Sequence, residues 1–76
     1  MSRLPVLSGR EVIKLLGKIG FVPIRQKGSH IILSKTSLEG RKGLVVPDHK
    51  EIDKGTLIEI IRQAGLSRDE FLELMK

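Results

Sequence analysis

Apolar positions recur at helical spacing near both ends of the chain and at strand spacing between them. Val12, Ile13, Leu15, Leu16 and Ile19 form a stripe that predicts a first helix over residues 9–19, stopped by Gly20. The other side of that helix carries Arg10, Lys14 and Lys18, a basic row at four-residue spacing. Leu57, Ile58, Ile60 and Ile61 predict a second helix ending near Gly65. Phe71, Leu72 and Met75 predict the buried side of a short third helix over residues 68–75. Three Ser/Thr-x-x-Glu boxes, Ser8 to Glu11, Thr56 to Glu59 and Ser67 to Glu70, stand where these helices begin. In each, the hydroxyl and the carboxylate can satisfy amides that the first turn leaves free. For the second helix an earlier start, with Asp53 as the cap, stays open.

Between the first two helices lie three extended runs, over residues 21–26, 30–34 and 43–46. Pro23 has no N–H for a ladder, which places the first run at a sheet edge. The polar residues 35–42 close a hairpin between the second and third runs. A symmetric hairpin sets Ser34 against Gly43, His30 against Pro47 and His49 against Gly28. The two histidines then share one end of the hairpin, within about 10 Å given strand rise and spacing. Alternation turns Ile31 and Leu33 toward the helices and His30, Ile32 and Ser34 away from them. An Ile32 on that open face suits either a covering partner or a shifted register. The whole is an α+β fold, a three-stranded antiparallel sheet with helices on one face and a short C-terminal helix. This α-β-β-β-α order is that of the double-stranded-RNA-binding domain, which makes the open face and the basic helix the working surface.

The 76 residues make one domain, spanning residues 1–76. At this size only about 60% of the unfolded surface is buried, which leaves no room for a deep cofactor cleft. The absence of cysteine excludes disulfides and thiolate metal sites. No apolar stretch is long enough for a signal peptide or a membrane span, so the expectation is a cytoplasmic protein without membrane contact. Phe21 and Phe71 are the only aromatics, so any nucleic-acid contact must rest on charge more than stacking.

The net charge of +5 is unevenly spread. Residues 1–35 hold seven bases and one acid, whereas the remainder holds seven bases and eight acids. A positive half of this kind attracts a polyanion or an acidic protein surface; a merely solvated face is the plainer alternative. That half contains Lys27-Gly28-Ser29-His30, in which glycine permits a tight turn and delivers a hydroxyl and an imidazole to the mouth of a strand. Alone, these residues are a weak signal that more often marks a plain turn with a surface histidine. Ser29 and His30 do not form a nucleophilic pair, because neighbours on a strand point to opposite faces. Asp48, His49, Glu51 and Asp53 lack metal-ligand spacing and read as an acidic turn before a helix. A DNA-reading helix-turn-helix over residues 57–75 is rejected, since Asp69, Glu70 and Glu73 on its second helix would repel phosphate.

Lys27-Gly28-Ser29-His30, Val46-Pro47-Asp48-His49, Gly55-Thr56-Leu57, Gln63-Ala64-Gly65-Leu66-Ser67, Glu70-Phe71 and the junction Gly20-Phe21 together resemble the HicA-type toxin family over essentially the whole chain. The resemblance implies an RNA-cleaving toxin, an mRNA interferase, of a type II toxin–antitoxin pair. It also implies neutralisation by a HicB-type antitoxin in a heteromeric complex, and His30 as the catalytic residue. His49 matches a second recurring family histidine, either an acid–base partner or a structural residue. RNA supplies its own nucleophile, the 2′-hydroxyl, and a histidine with a pKa near ~6.5 can act as acid or base around neutrality, with no obligatory metal or cofactor. Arg25, Lys27 and the amides around Gly28 can offset phosphate charge, Ser29 can donate a hydrogen bond, and Arg10, Lys14 and Lys18 extend the RNA-binding surface. The alternative is a non-catalytic RNA-binding module of the same fold. An acidic antitoxin covering Lys14, Lys18, Lys27 and His30 is compatible with either.

Overall fold

A computed structural model describes residues 3–76. Its order is α1 (Gly9–Gly17), β1 (Val22–Lys27), β2 (His30–Ser37), β3 (Gly40–Pro47), α2 (Lys54–Gln63) and α3 (Arg68–Glu73). The strands form one antiparallel sheet in the order β1-β2-β3, so the expected α+β architecture holds.

Two of the three capping boxes are realised. Ser8 and Glu11 close the start of α1 reciprocally, and Ser67 and Glu70 do the same for α3. The box at Thr56 is not formed, because Asp53 caps α2 instead: its carboxylate accepts from both the Thr56 N–H and the Thr56 hydroxyl. Thr56 is thereby drawn into the helix. Both α1 and α2 end in the same device. Phe21 N–H reaches Leu16 O while Gly20 N–H reaches Gly17 O, and Leu66 and Gly65 repeat this pattern on Ile61 and Arg62. Such paired closures need a left-handed residue, supplied by Gly20 (φ +102°) and Gly65 (φ +79°). They stop α1 at Gly17, two residues short of the expected end.

The hairpin register is the expected one, with His30 against Pro47 and Ser34 against Gly43. Its strands are longer than the apolar runs suggest. Residues 35–42 are not a loop, since Ser37 pairs with Gly40 and only Leu38 and Glu39 form the turn. Pro23 does sit in an edge strand, and the pairing slips between Pro23 and Arg25 so that Ile24 is bulged out.

The core lies between the helices and one face of the sheet. Val12, Leu16, Phe21, Leu33, Val46, Leu57 and Phe71 are almost wholly buried, and Ile31 lies with them as alternation predicts. On the other face Ile32 is half-buried and His30 exposed, but Ser34 is buried because Arg41 reaches over it and donates from Nε at 3.1 Å. Met75 departs from expectation: it is 41% exposed, and Leu74 packs on the core edge in its place. Among the described residues no helix is long and apolar enough to cross a membrane.

Candidate active site

β1 and β2 are joined by Gly28 and Ser29 alone, because Lys27 pairs with His30. Gly28 has φ +60° and Ser29 does not have positive φ, the pattern of a II′ turn, whose twist matches that of the flanking strands. Gln26 braces the turn, donating from Nε2 to the Gly28 carbonyl at 3.0 Å. His30 is therefore the first residue of β2, exposed at the end of the sheet.

Directly across from it stand Lys27 on one side and Pro47 on the other. Facing residues of antiparallel strands share a face with Cβ atoms about 4.5–5.5 Å apart, so Lys27 is the cation nearest to His30 in register. Arg25 pairs with Ile32, two positions further along the same face. His30, Lys27 and Arg25 thus gather on the helix-free side of the sheet.

The segment after β3 fixes this turn from the opposite side. Asp48 N–H donates to Ser29 O at 2.6 Å, carrying the ladder one residue beyond Pro47. The segments that carry the two histidines thus meet at one end of the sheet, and His49 is exposed. Its carbonyl accepts the Gly9 N–H at 2.9 Å, and Ile52 N–H donates to Leu7 O at 2.8 Å, so residues 47–52 are strapped to the start of α1. Gly9 permits this approach: a Cβ there would overlap the Pro47 carbonyl oxygen and lie 3.2 Å from Asp48 Cα.

Arg10 completes the strap. Its Nε and Nη2 donate to the two Asp48 carboxylate oxygens, each at 3.2 Å. The Arg10 hydrogen bond, more than any other influence, holds the Asp48 carboxyl below its ordinary pKa; burial opposes this, and the charges of Arg10 and His49 add to it. Arg10 is thus a held cation, not a freely swinging one.

Lys14 and Lys18 are not part of this group. They line a hollow of about 280 Å³ with Leu15 and Met75, and Lys18 Nζ donates to the Leu74 carbonyl beyond α3. Ser29 contributes its backbone carbonyl to the turn's attachment. Asp48, His49, Glu51 and Asp53 do not converge: Asp48 is committed to Arg10 and Asp53 to the start of α2. Among the described residues no three His, Asp or Glu side chains are grouped to hold a metal.

Gly9 and Asp48 were not singled out from sequence as positioning elements. A glycine at the first helical position, where it costs helix stability, is the one local sign of a close backbone approach there.

The end of the sheet that carries His30 is thus open to solvent, with Lys27 facing the histidine across the strand pair. No curated protein matches the sequence significantly. The model of the family described as HicA toxin of bacterial toxin-antitoxin matches residues 9–66, most of the chain. The chain belongs to the HicA toxin family, and its role is that of a toxin countered by an antitoxin partner.

Proposed function

We propose that the toxin acts by cutting RNA, with His30 exchanging protons with the scissile phosphodiester. The observation that carries this reading is the placement of an exposed His30 opposite Lys27, on a turn held from both sides. In the reaction, His30 takes the proton from a 2′-hydroxyl, the freed oxygen attacks the adjacent phosphorus, and the 5′-oxygen leaves with a proton. His49 is the candidate to supply that proton, since the ladder brings it to the same end of the sheet. Lys27 and Arg25 offset charge building on the phosphorane, and the Ser29 hydroxyl is available to a phosphate oxygen. Arg10 extends the contact to a neighbouring phosphate from a fixed position. No step calls on a metal or a cofactor.

The partner that restrains this activity is a HicB-type antitoxin, which shields the group around His30, and the site of action is cytoplasmic mRNA. The test is cleavage of a defined RNA by the purified chain with chelator present, beside the same RNA carrying 2′-deoxy residues. Cleavage of the first alone, leaving cyclic phosphate ends, is expected. Cleavage of both, or activity abolished by the chelator, refutes the mechanism; binding without cleavage leaves a non-catalytic RNA-binding module.

A further inference from the structure

A groove lies away from His30. It has a volume of about 730 Å³ and lies along the outer edge of β3, walled by α2, with Ile32, Gly43, Val45, Thr56, Glu59 and Gln63 in its lining. β3 has a ladder partner on one side only.

The hydrogen-bond phase of that ladder follows from its two ends. Asp48 N–H donates to Ser29 O at one end, and Ser37 faces Gly40 across a two-residue turn at the other. Bonded positions alternate along an antiparallel pair, so Gly40, Lys42, Leu44 and Val46 turn their backbone groups toward β2. Arg41, Gly43 and Val45 turn theirs outward. Among the described residues none of these three makes a backbone bond to a loop or another element. All three are exposed. Pro47, without an N–H, ends the row.

A free row of donors and acceptors is a template for another strand. The side chains beside it narrow the occupant. Val45 is 44% exposed and adjoins half-buried Ile32 on the open face, which favours an apolar neighbour. Arg41 lies four residues earlier on the same face and favours an acidic one. A second copy of this chain carries the same net charge of +5 and is repelled.

We propose that the outer edge of β3 is a strand-addition site for an extended segment of the partner antitoxin, with an apolar residue beside Val45 and an acidic residue beside Arg41. This rests on the toxin–antitoxin reading of the chain. An added strand lies two strand spacings, roughly 10 Å, from β2. Chain continuing past Pro47 then arrives beside His30, so anchoring at the edge and closing of the histidine site are one event.

The test is amide hydrogen exchange on the toxin, free and bound to the antitoxin encoded with it. Protection at Arg41, Gly43 and Val45 is expected to rise at least tenfold on binding. Val45→Pro removes an outward donor and no ladder bond, and is expected to weaken antitoxin binding at least fivefold while free RNA cleavage persists. Arg41→Glu, which leaves the backbone intact, is expected to weaken binding as well. If the antitoxin binds and neutralises the wild type while these amides stay unprotected, the edge is the wrong site and the toxin reading survives. If the antitoxin neither binds nor neutralises, both fall together. Protection that appears in the free toxin as its concentration rises assigns the edge to a second copy and overturns the proposal.

Discussion

Gly9→Ala adds one methyl group at the joint between α1 and the histidine-bearing segment. Its Cβ would stand 3.0 Å from Pro47 C and 3.2 Å from Asp48 Cα, with the Pro47 carbonyl oxygen inside van der Waals contact. Carbon atoms pack at about 3.5–4.0 Å, and the obstacle is backbone, so the first turn of α1 must retreat as a unit. Overpacking of this kind costs about 1–3 kcal/mol. Stretching the Gly9–His49 bond costs a further 0.5–1.5 kcal/mol or about that. Alanine recovers at most roughly 0.5–1 kcal/mol as the better helix former. The net loss is centred near about 2 kcal/mol, within limits of about 0.5–4 kcal/mol, against a total of about 4–11 kcal/mol for a domain of this length. The variant therefore folds, with its melting temperature lowered by about 10–20 °C in a circular-dichroism scan. Its Asp48 amide also exchanges faster, because the retreat loosens the segment that holds Ser29. A melting temperature within about 2 °C of the wild type refutes the close-packed joint.

Arg10→Met is expected to raise the Asp48 carboxyl pKa toward its ordinary value, followed by carbon-detected NMR; an unchanged titration removes Arg10 as the cause. Because the Asp48 pKa is lowered in the folded state, its stabilising contribution is present above the unfolded carboxyl pKa. It is lost as pH falls through the folded value, and the Met variant loses less stability over that acid range. Lys27→Ala is expected to weaken RNA binding and to reduce the slope of log affinity against log salt by about 0.7, the share of one phosphate contact on a single strand. An unchanged slope places Lys27 away from the RNA. Leu38→Lys, at the fully exposed hairpin tip, is expected to leave both melting temperature and cleavage unchanged; a loss of either would show that the far turn takes part.

The fold was legible because its signals are local. Serine caps at Ser8 and Ser67 were read correctly, each having its glutamate three residues on. Thr56 misled because Asp53 offers the same three-residue geometry to the Thr56 amide with a stronger acceptor. The register followed from hairpin symmetry, whereas the strand ends did not. Lys35 to Lys42 read as a loop because the hairpin runs on past the core, where residues on both faces are free to be polar. The convergence of the segments that carry His30 and His49 was legible because register alone carries one toward the other. The strap that fixes them was not: Arg10 and Asp48 are 38 positions apart, and nothing in either neighbourhood announces the contact. Lys14 and Lys18 share a helix row with Arg10, yet the helix turns them toward Met75 while Arg10 reaches the site.

The central claim is that His30 performs acid–base chemistry on RNA, and a single-turnover comparison of wild type with His30→Ala tests it most directly. The cleavage rate is expected to fall by about 10²–10⁴-fold, with RNA affinity and melting temperature essentially unchanged. Undiminished cleavage by the folded variant contradicts the assignment.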